Sequence, residues 1–437
     1  MPCSLPRARV LVVATLHWAT TTRLCLAMAE GGFDVAAVIP EDHALREMPG
    51  ISTHRLGRTR AQALRAITSA AQEAPPDLIV PADEWAIDLL RVLHERALQR
   101  RTMDARRTIG LIESSLGAPS ALAFACQKSR LIELAQREGI GVPSTTVVGD
   151  LGDLRRLLER RRFPLVLKLD HSFGGRGVRI VHDRAEAEQG FRELRASAGP
   201  VAALKQSIKR CDFACLEGLY QRPPAISLQQ FVEGTPANRA VACLRGTVLA
   251  GLSVEAVRTN AANGPATVIR IIDSPAMTDA AEKLVRRLGL SGFVGLDFVI
   301  DAKTSEPFFI ELNARPTQIC HIALDARSDM IGNLAVALGA TPPLRRLPNV
   351  GSSTIALFPQ ECWRNPDSEY LHAAHHDVPW STPEFIAAYR LPPPPEAKHW
   401  LKGMARRRSL PYAPVDVRPF SRAATLLGDP ANPSSPV

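Results

Sequence analysis

Two neighbouring apolar runs constrain this chain most: Gly295-Leu-Asp297-Phe-Val-Ile-Asp301 and Phe308-Phe-Ile-Glu311-Leu-Asn313-Ala-Arg315-Pro316. Both are rich in residues that favour strands, and the gap between them suits a turn. Asp297 falls on the first run. Glu311, Asn313 and Arg315 follow at two-residue steps on the second, which puts their side chains on one face. Two carboxylates and an amide oxygen converging between paired strands suit one or two Mg²⁺ ions, hard cations that take oxygen ligands and keep bound phosphates. Arg315 then aims a planar guanidinium at the anion the metals hold. A surface hairpin with solvated charges is the competing reading, and the apolar character of both runs opposes it.

Two further segments offer phosphate and base contacts. In Leu165-Val-Leu-Lys168-Leu-Asp-His-Ser172-Phe-Gly174-Gly175-Arg176-Gly177-Val178 a strand delivers Lys168 just ahead of a glycine loop. Glycines let backbone N–H groups approach phosphate oxygens, and the ammonium neutralises their charge. A tight hairpin with glycines at positive φ explains the same residues. Further on, Ile226-Ser-Leu-Gln229-Gln230-Phe231-Val232-Glu233-Gly234 reads as a strand entering a turn. Its extended backbone, at Gln229 and Val232, offers a carbonyl and an amide to a purine edge; an ordinary strand ending in a Gly turn is the alternative.

The first hundred residues alternate apolar strands with helical patterns: Val10 to Ala14, Thr20 to Glu30, Val35 to Ile39, Arg60 to Gln72 and Leu78 to Pro81. That alternation implies a parallel α/β sheet. Ligands of such sheets sit beyond the carboxyl ends of the strands, where His17, Trp18, Thr20 to Thr22, Asp83 and Glu84 fall. Helix capping by Thr and Asp explains these residues equally well. No glycine fingerprint follows the first strand, which argues against a dinucleotide site there.

At 437 residues, two or three domains sharing buried faces are expected. The apolar share of 46% and charged share of 22% are those of a globular protein, and no apolar run is long enough for a bilayer span. The N-terminus imitates a signal peptide, but His17, Thr20 to Thr22 and Arg23 break its apolar centre. Eight cysteines without paired ligand spacing read as free thiols in a reducing cytoplasm. The net charge of +9 is spread through helices, and aromatics are only 5%, which argues against nucleic acid and is met as well by an anionic small-molecule substrate.

Taken in order, Lys128, Lys168, the Gly174-Gly175-Arg176-Gly177 loop, the Gln229 to Gly234 segment, Asp297 and Glu311-Leu-Asn-Ala-Arg315 resemble the ATP-grasp superfamily over roughly residues 1 to 340. The resemblance implies a small parallel-sheet α/β domain (1–112), a two-lobed α+β grasp domain (113–345; small lobe about 165–232, large lobe about 233–345) and a Pro-rich C-terminal extension (346–437). It implies that Lys128 and Lys168 contact the phosphates of ATP and that the Ser172 to Val178 loop closes over them. Gln229, Gln230, Phe231 and Val232 would form the adenine hinge, with Glu233 and Asn238 toward the ribose. Asp297, Glu311 and Asn313 would bind Mg²⁺, or Mn²⁺ in its place, with Arg315 steadying an acyl phosphate. Gln229 departs from the pattern, since many relatives carry glutamate there, and the Ala202 to Tyr220 stretch has no counterpart.

The implied reaction is phosphoryl transfer from ATP to a small carboxylate, then attack by an amine, with Arg315, Asn313 and Arg270 as catalytic candidates. For Arg258 and Arg270 a structural salt bridge is an equal alternative. A bicarbonate-activating carboxylase or carbamoyl-phosphate type of grasp enzyme, and a non-catalytic ATP-binding regulatory module, are the rival readings. A homodimer is left open. The tail beyond about Leu344 reads as a solvated appendage; a zinc site at His372 and His376, one helical turn apart, and membrane contact by the basic His399 to Arg408 stretch are weaker alternatives.

Overall fold

The computed structural model describes residues 7–117, 127–170, 177–198, 224–261, 264–343 and 352–391. Ser172, Gly174, Gly175, Arg176, the Ala202 to Tyr220 stretch and His399 to Arg408 lie outside them. The chain divides into two compact units at Pro393/Pro394, and all described residues belong to the first.

The N-terminal segment forms β1 (Arg9–Val13), α1 (Ala19–Glu30), β2 (Asp34–Ile39), β3 (Ser52–Arg55), α2 (Arg60–Glu73), β4 (Leu78–Pro81), α3 (Glu84–Leu98) and α4 (Met103–Leu116). The four strands are parallel in the order β3-β2-β1-β4. Local chemistry sets the helix starts: Thr59 and Gln62 make a capping box on α2, and Asp83 caps α3 through the N–H groups of Trp85 and Ala86. Because β1 lies between β2 and β4, the loops after β1 and β4 flank the switch point where open α/β sheets take ligands.

α5 (Lys128–Arg137), β5 (Thr145–Val148), α6 (Leu151–Leu158), β6 (Leu165–Leu169), β7 (Val178–Val181), α7 (Arg184–Ser197) and β8 (Ile226–Gln230) follow. The strands make an antiparallel sheet ordered β5-β8-β6-β7. It has its own core, built from Leu154, Leu158, Leu165, Leu167, Phe191, Leu194 and Leu228 among others. This sheet thus takes in residues 145–148, ahead of the small lobe drawn from sequence at about 165.

β9 (Gly234–Leu244), β10 (Thr247–Thr259), β11 (Ala266–Ile271), α8 (Pro275–Leu288), β12 (Gly292–Asp301), β13 (Pro307–Asn313) and α9 (Met330–Ala337) make the largest part. Phe231 to Glu233 carry the chain from the smaller sheet into β9. There a side chain at Gly234 would meet the carbonyl oxygen of Ile300 at 1.9 Å, so the hinge end of β9 lies flush against β12.

The tail differs from expectation. β14 (Thr354–Leu357), α10 (Gln360–Arg364), α11 (Tyr370–Ala373), β15 (His375–Asp377) and α12 (Pro383–Tyr389) complete the fold. β14 pairs with β11 and β15 with β14, giving a seven-stranded sheet ordered β13-β12-β9-β10-β11-β14-β15. Phe358, Phe385 and Tyr389 are buried in a core that also holds Val10 and Val12 of β1, Leu24 and Met28 of α1, Leu252 and Ile331. Residues 352–391 are therefore structural rather than a solvated appendage. His372 and His376 are not on one helix: the first lies in α11 and the second sits in β15, edge-on to Phe358. Among the described residues no cluster of three His, Cys, Asp or Glu is arranged to hold a metal, and no helix is long and apolar enough to cross a membrane.

Candidate functional site

The site is assembled where β9, β12 and β13 run side by side. Asp297 stands opposite Asn238 of β9 and opposite Glu311 of β13, and Asn313 stands opposite Gly295. Registered neighbours in a sheet share a face, so the four polar side chains converge. Asn238 Nδ2 donates to one Asp297 oxygen at 2.7 Å, and Asn313 Nδ2 donates to the other at 2.8 Å. Gly295 leaves the room this needs: a Cβ there would meet Thr317 Cγ2 at 2.1 Å. Thr317 in turn donates to Asn238 Oδ1 at 3.4 Å.

Two lysines close on the carboxylates from the other sheet and its leading helix. Lys128, the first residue of α5, places Nζ 3.3 Å from Glu311 Oε2. Lys168, on β6, is 7% exposed. Burial and the neighbouring Lys128 push its ammonium down to about 8, against the opposing pull of Glu311 and Asp297. Asp297 is shifted upward by burial and by the like charge of Glu311, with Asn238, Arg315 and Asn313 opposing. A like-charged pair in a buried setting, beside two amide groups, is an oxygen-rich donor set whose repulsion a hard divalent cation relieves, so these residues fit Mg²⁺.

Asp170 was not anticipated from sequence, although it lies two residues beyond Lys168 and so on the same side of the strand. It accepts from the backbone N–H of Ser129 at 3.1 Å and from the Ser129 hydroxyl at 2.7 Å. That contact pins the start of α5, and with it Lys128, to the strand that carries Lys168.

Arg315 leaves β13 and reaches the N-terminal sheet. Its Nε donates to Glu84 Oε1 at 2.7 Å, Nη2 approaches the same oxygen at 2.6 Å, and Nη1 donates to the Pro316 carbonyl at 3.2 Å. The guanidinium lies over the Trp18 ring, 5.2 Å from its centroid. Trp18 and Glu84 belong to the loop after β1 and the start of α3, the two sides of the switch point. Asp83 is a structural cap and also ties these loops together, accepting from Thr15 N at 2.6 Å, Thr15 Oγ1 at 2.8 Å and Leu16 N at 3.2 Å.

Other candidates stand elsewhere. Arg270 pairs with Glu255 at 3.2 Å, and the row Phe298, Ala237, Glu255, Arg270 is one register step from the row Asp297, Asn238, Val254, Ile271. Adjacent rows point to opposite faces, so Arg270 faces away from the cluster. Arg258 lies over the Tyr370 ring at 5.2 Å. Asn238 joins Asp297 rather than the hinge, because its register on β9 sets it there. The Gln229 side chain is buried and donates to Thr145 Oγ1 at 2.8 Å, so it serves the sheet. Gln230 and Glu233 are exposed, and Phe231 and Val232 are partly buried between the two sheets. Gly177 closes the β6–β7 connection by accepting from Leu169 N at 2.8 Å.

The family description "ATP-grasp domain" matches residues 128–318, from Lys128 through the carboxylate cluster to the loop after Arg315. The chain carries an ATP-grasp domain. The chain is similar in sequence to part of the carbamoyl phosphate synthase large chain of Thermus thermophilus, at 24% identity over 64% of this chain and 25% of the relative. The chain therefore spans about a quarter of that relative's length. Among solved structures the fold resembles the biotin carboxylase domain of the Hydrogenobacter thermophilus 2-oxoglutarate carboxylase, a dimer solved with MgADP, ADP and bicarbonate. The TM-score is 0.53 at 16% identity, over 77% of this chain and 71% of that one. It also resembles an L-amino acid ligase from Bacillus licheniformis, with a TM-score of 0.50 at 17% identity over 77% and 75% of the two chains. The small N-terminal parallel sheet and the larger mixed sheet are consistent with this likeness in fold.

Proposed function

We propose that the protein is an ATP-dependent ligase that phosphorylates a small carboxylate and joins it to an amine, releasing ADP and phosphate. The observation that carries this reading is the convergence of Lys128, Lys168, Asp297, Glu311 and Asn313 beside Arg315. Two buried ammonium groups and a carboxylate pair suit a polyphosphate held through a divalent cation, and phosphoryl transfer needs positioning and charge neutralisation rather than a protein nucleophile.

In this reading Lys128 and Lys168 hold phosphate oxygens of ATP, and the Phe231 to Glu233 crossing borders the base. Asp297, Glu311 and Asn313, with Asn238 now added to them, hold Mg²⁺. Bound there, Mg²⁺ would supply charge neutralisation for the transferring phosphoryl group. In the structure Lys128 occupies Glu311, so loading the site requires that lysine to exchange one anion for another. In this reading Arg315 holds the acyl phosphate while the amine attacks.

A second reading is favoured by the carbamoyl phosphate synthase and biotin carboxylase likenesses: bicarbonate takes the place of the carboxylate. Both readings are separated by ADP release from purified protein with ATP and Mg²⁺ against a matrix of carboxylates, bicarbonate and amines. A carboxylate–amine pair that drives ADP release and forms an amide supports the ligase. Stimulation by bicarbonate alone replaces it, and AMP with pyrophosphate contradicts both.

A further inference from the structure

We infer that Glu84 is a positioning residue for the reaction, holding Arg315 at the orientation in which it receives the acyl phosphate; this rests on the ligase reading above. Glu84 lies 231 positions from Arg315 in sequence and comes from the first turn of α3, at the switch point of the N-terminal sheet. One of its oxygens takes both Nε and Nη2 of the guanidinium, at 2.7 and 2.6 Å. The side chains are only 17% and 13% exposed, so solvent screens the contact weakly. Trp18 stacks on the same guanidinium from the loop after β1. The remaining polar edge, Nη1, donates among the described residues to the carbonyl of the next residue, Pro316, at 3.2 Å.

Arg315 is thus fixed on one edge and one face by the N-terminal sheet, while its backbone leaves the strand that bears Glu311 and Asn313. A planar fork fixed in this way keeps its orientation without reorganisation when an anion arrives, and misplacement of such a group by about 1 Å costs on the order of 100-fold in rate. The same carboxylate also competes with any anion for the guanidinium. Its removal should loosen Arg315 and leave its charge less neutralised, so turnover and anion affinity move in opposite directions. A contact that merely held domains together would not split them.

The test compares Glu84→Gln and Glu84→Asp with the wild type in the full chain. Measured are kcat with ATP, Mg²⁺ and the carboxylate–amine pair that drives ADP release, the Kd of a non-hydrolysable ATP analogue, and inhibition by inorganic phosphate. Glu84→Gln is expected to lower kcat roughly 10- to 100-fold. It should leave analogue affinity within about twofold and tighten phosphate inhibition, while Glu84→Asp, which keeps the charge, recovers most of the rate. A wild-type kcat in Glu84→Gln overturns the inference. So does a parallel loss of analogue affinity and melting temperature, which would make Glu84 a domain tie. Failure of the wild type to release ADP with any carboxylate or bicarbonate would instead remove the ligase reading and this role with it.

Discussion

Ser129 gives both its backbone N–H and its hydroxyl to the carboxylate of Asp170, 41 positions along the chain. The contact joins the helix that begins with Lys128 to the strand that carries Lys168. Asp170→Ala removes the acceptor from a buried helix start and should cost about 1–3 kcal/mol. Calorimetric titration with an ATP analogue should then show affinity falling about tenfold, the lysines no longer being held in register. Unchanged affinity would mean that Lys128 and Lys168 keep their places without this tie.

Glu311→Gln conserves volume but removes one negative charge from between Lys128 and the Asp297 carboxylate. ATP turnover should be lost while thermal melting shows a folded protein, because a metal site with one carboxylate fewer binds a hard cation poorly. Wild-type turnover in this variant would sink the metal assignment.

Asp377 in β15 accepts from Arg23 of α1 at 2.9 Å and contacts His321 at 2.6 Å. A chain ended after Leu347 loses β14, bares the edge of β11, removes Asp377 from between those partners and strips Phe358 and Phe385 from the core. Size-exclusion chromatography should find aggregate. A monodisperse truncated protein with a cooperative melt would return the tail to the status of an appendage.

Stability should also fall in mild acid. Burial, helped by His17, pushes the His43 imidazole down to about 4 against the pull of Asp42. Burial does the same to His376, with His375 and His372 assisting and Asp377 and Glu361 opposing. The unfolded chain takes up these protons near 6.5 and the folded chain only near 4, so the unfolded state binds more protons in between. Stability contributed by the neutral rings is complete above about 6.5 and is lost as pH falls toward 4. Urea unfolding midpoints at several pH values check this, with His376→Gln expected to flatten the slope. A midpoint unchanged across that window would contradict it.

Lys168, Asp297, Glu311 and Asn313 were legible in the sequence because their placement is local, a strand's two-residue period or a strand running into a glycine loop, whereas Lys128 came only with the family resemblance. Asn238 and Arg270 show the limit. Both lie on strands, yet whether each meets Asp297 depends on pairing across β9, β10 and β11, which spacing along the chain does not carry. Glu84 could be placed at a switch point but not matched with a partner more than two hundred positions away. The tail was misread because short strands such as Thr354–Leu357 show no periodicity, and proline-rich flanks masked how much apolar surface they bury.

In the proposed reaction a carboxylate is phosphorylated and held before an amine arrives, and hydroxylamine intercepts that acyl phosphate if it forms. Enzyme supplied with ATP, Mg²⁺, its carboxylate and hydroxylamine in place of the amine should yield a hydroxamate and an equal amount of ADP. Arg315→Lys, which keeps the charge but loses the fork that meets Glu84 and two anion oxygens together, should yield well below the wild type. Formation of AMP and pyrophosphate, or of a stable phosphorylated product that hydroxylamine does not capture, would contradict it.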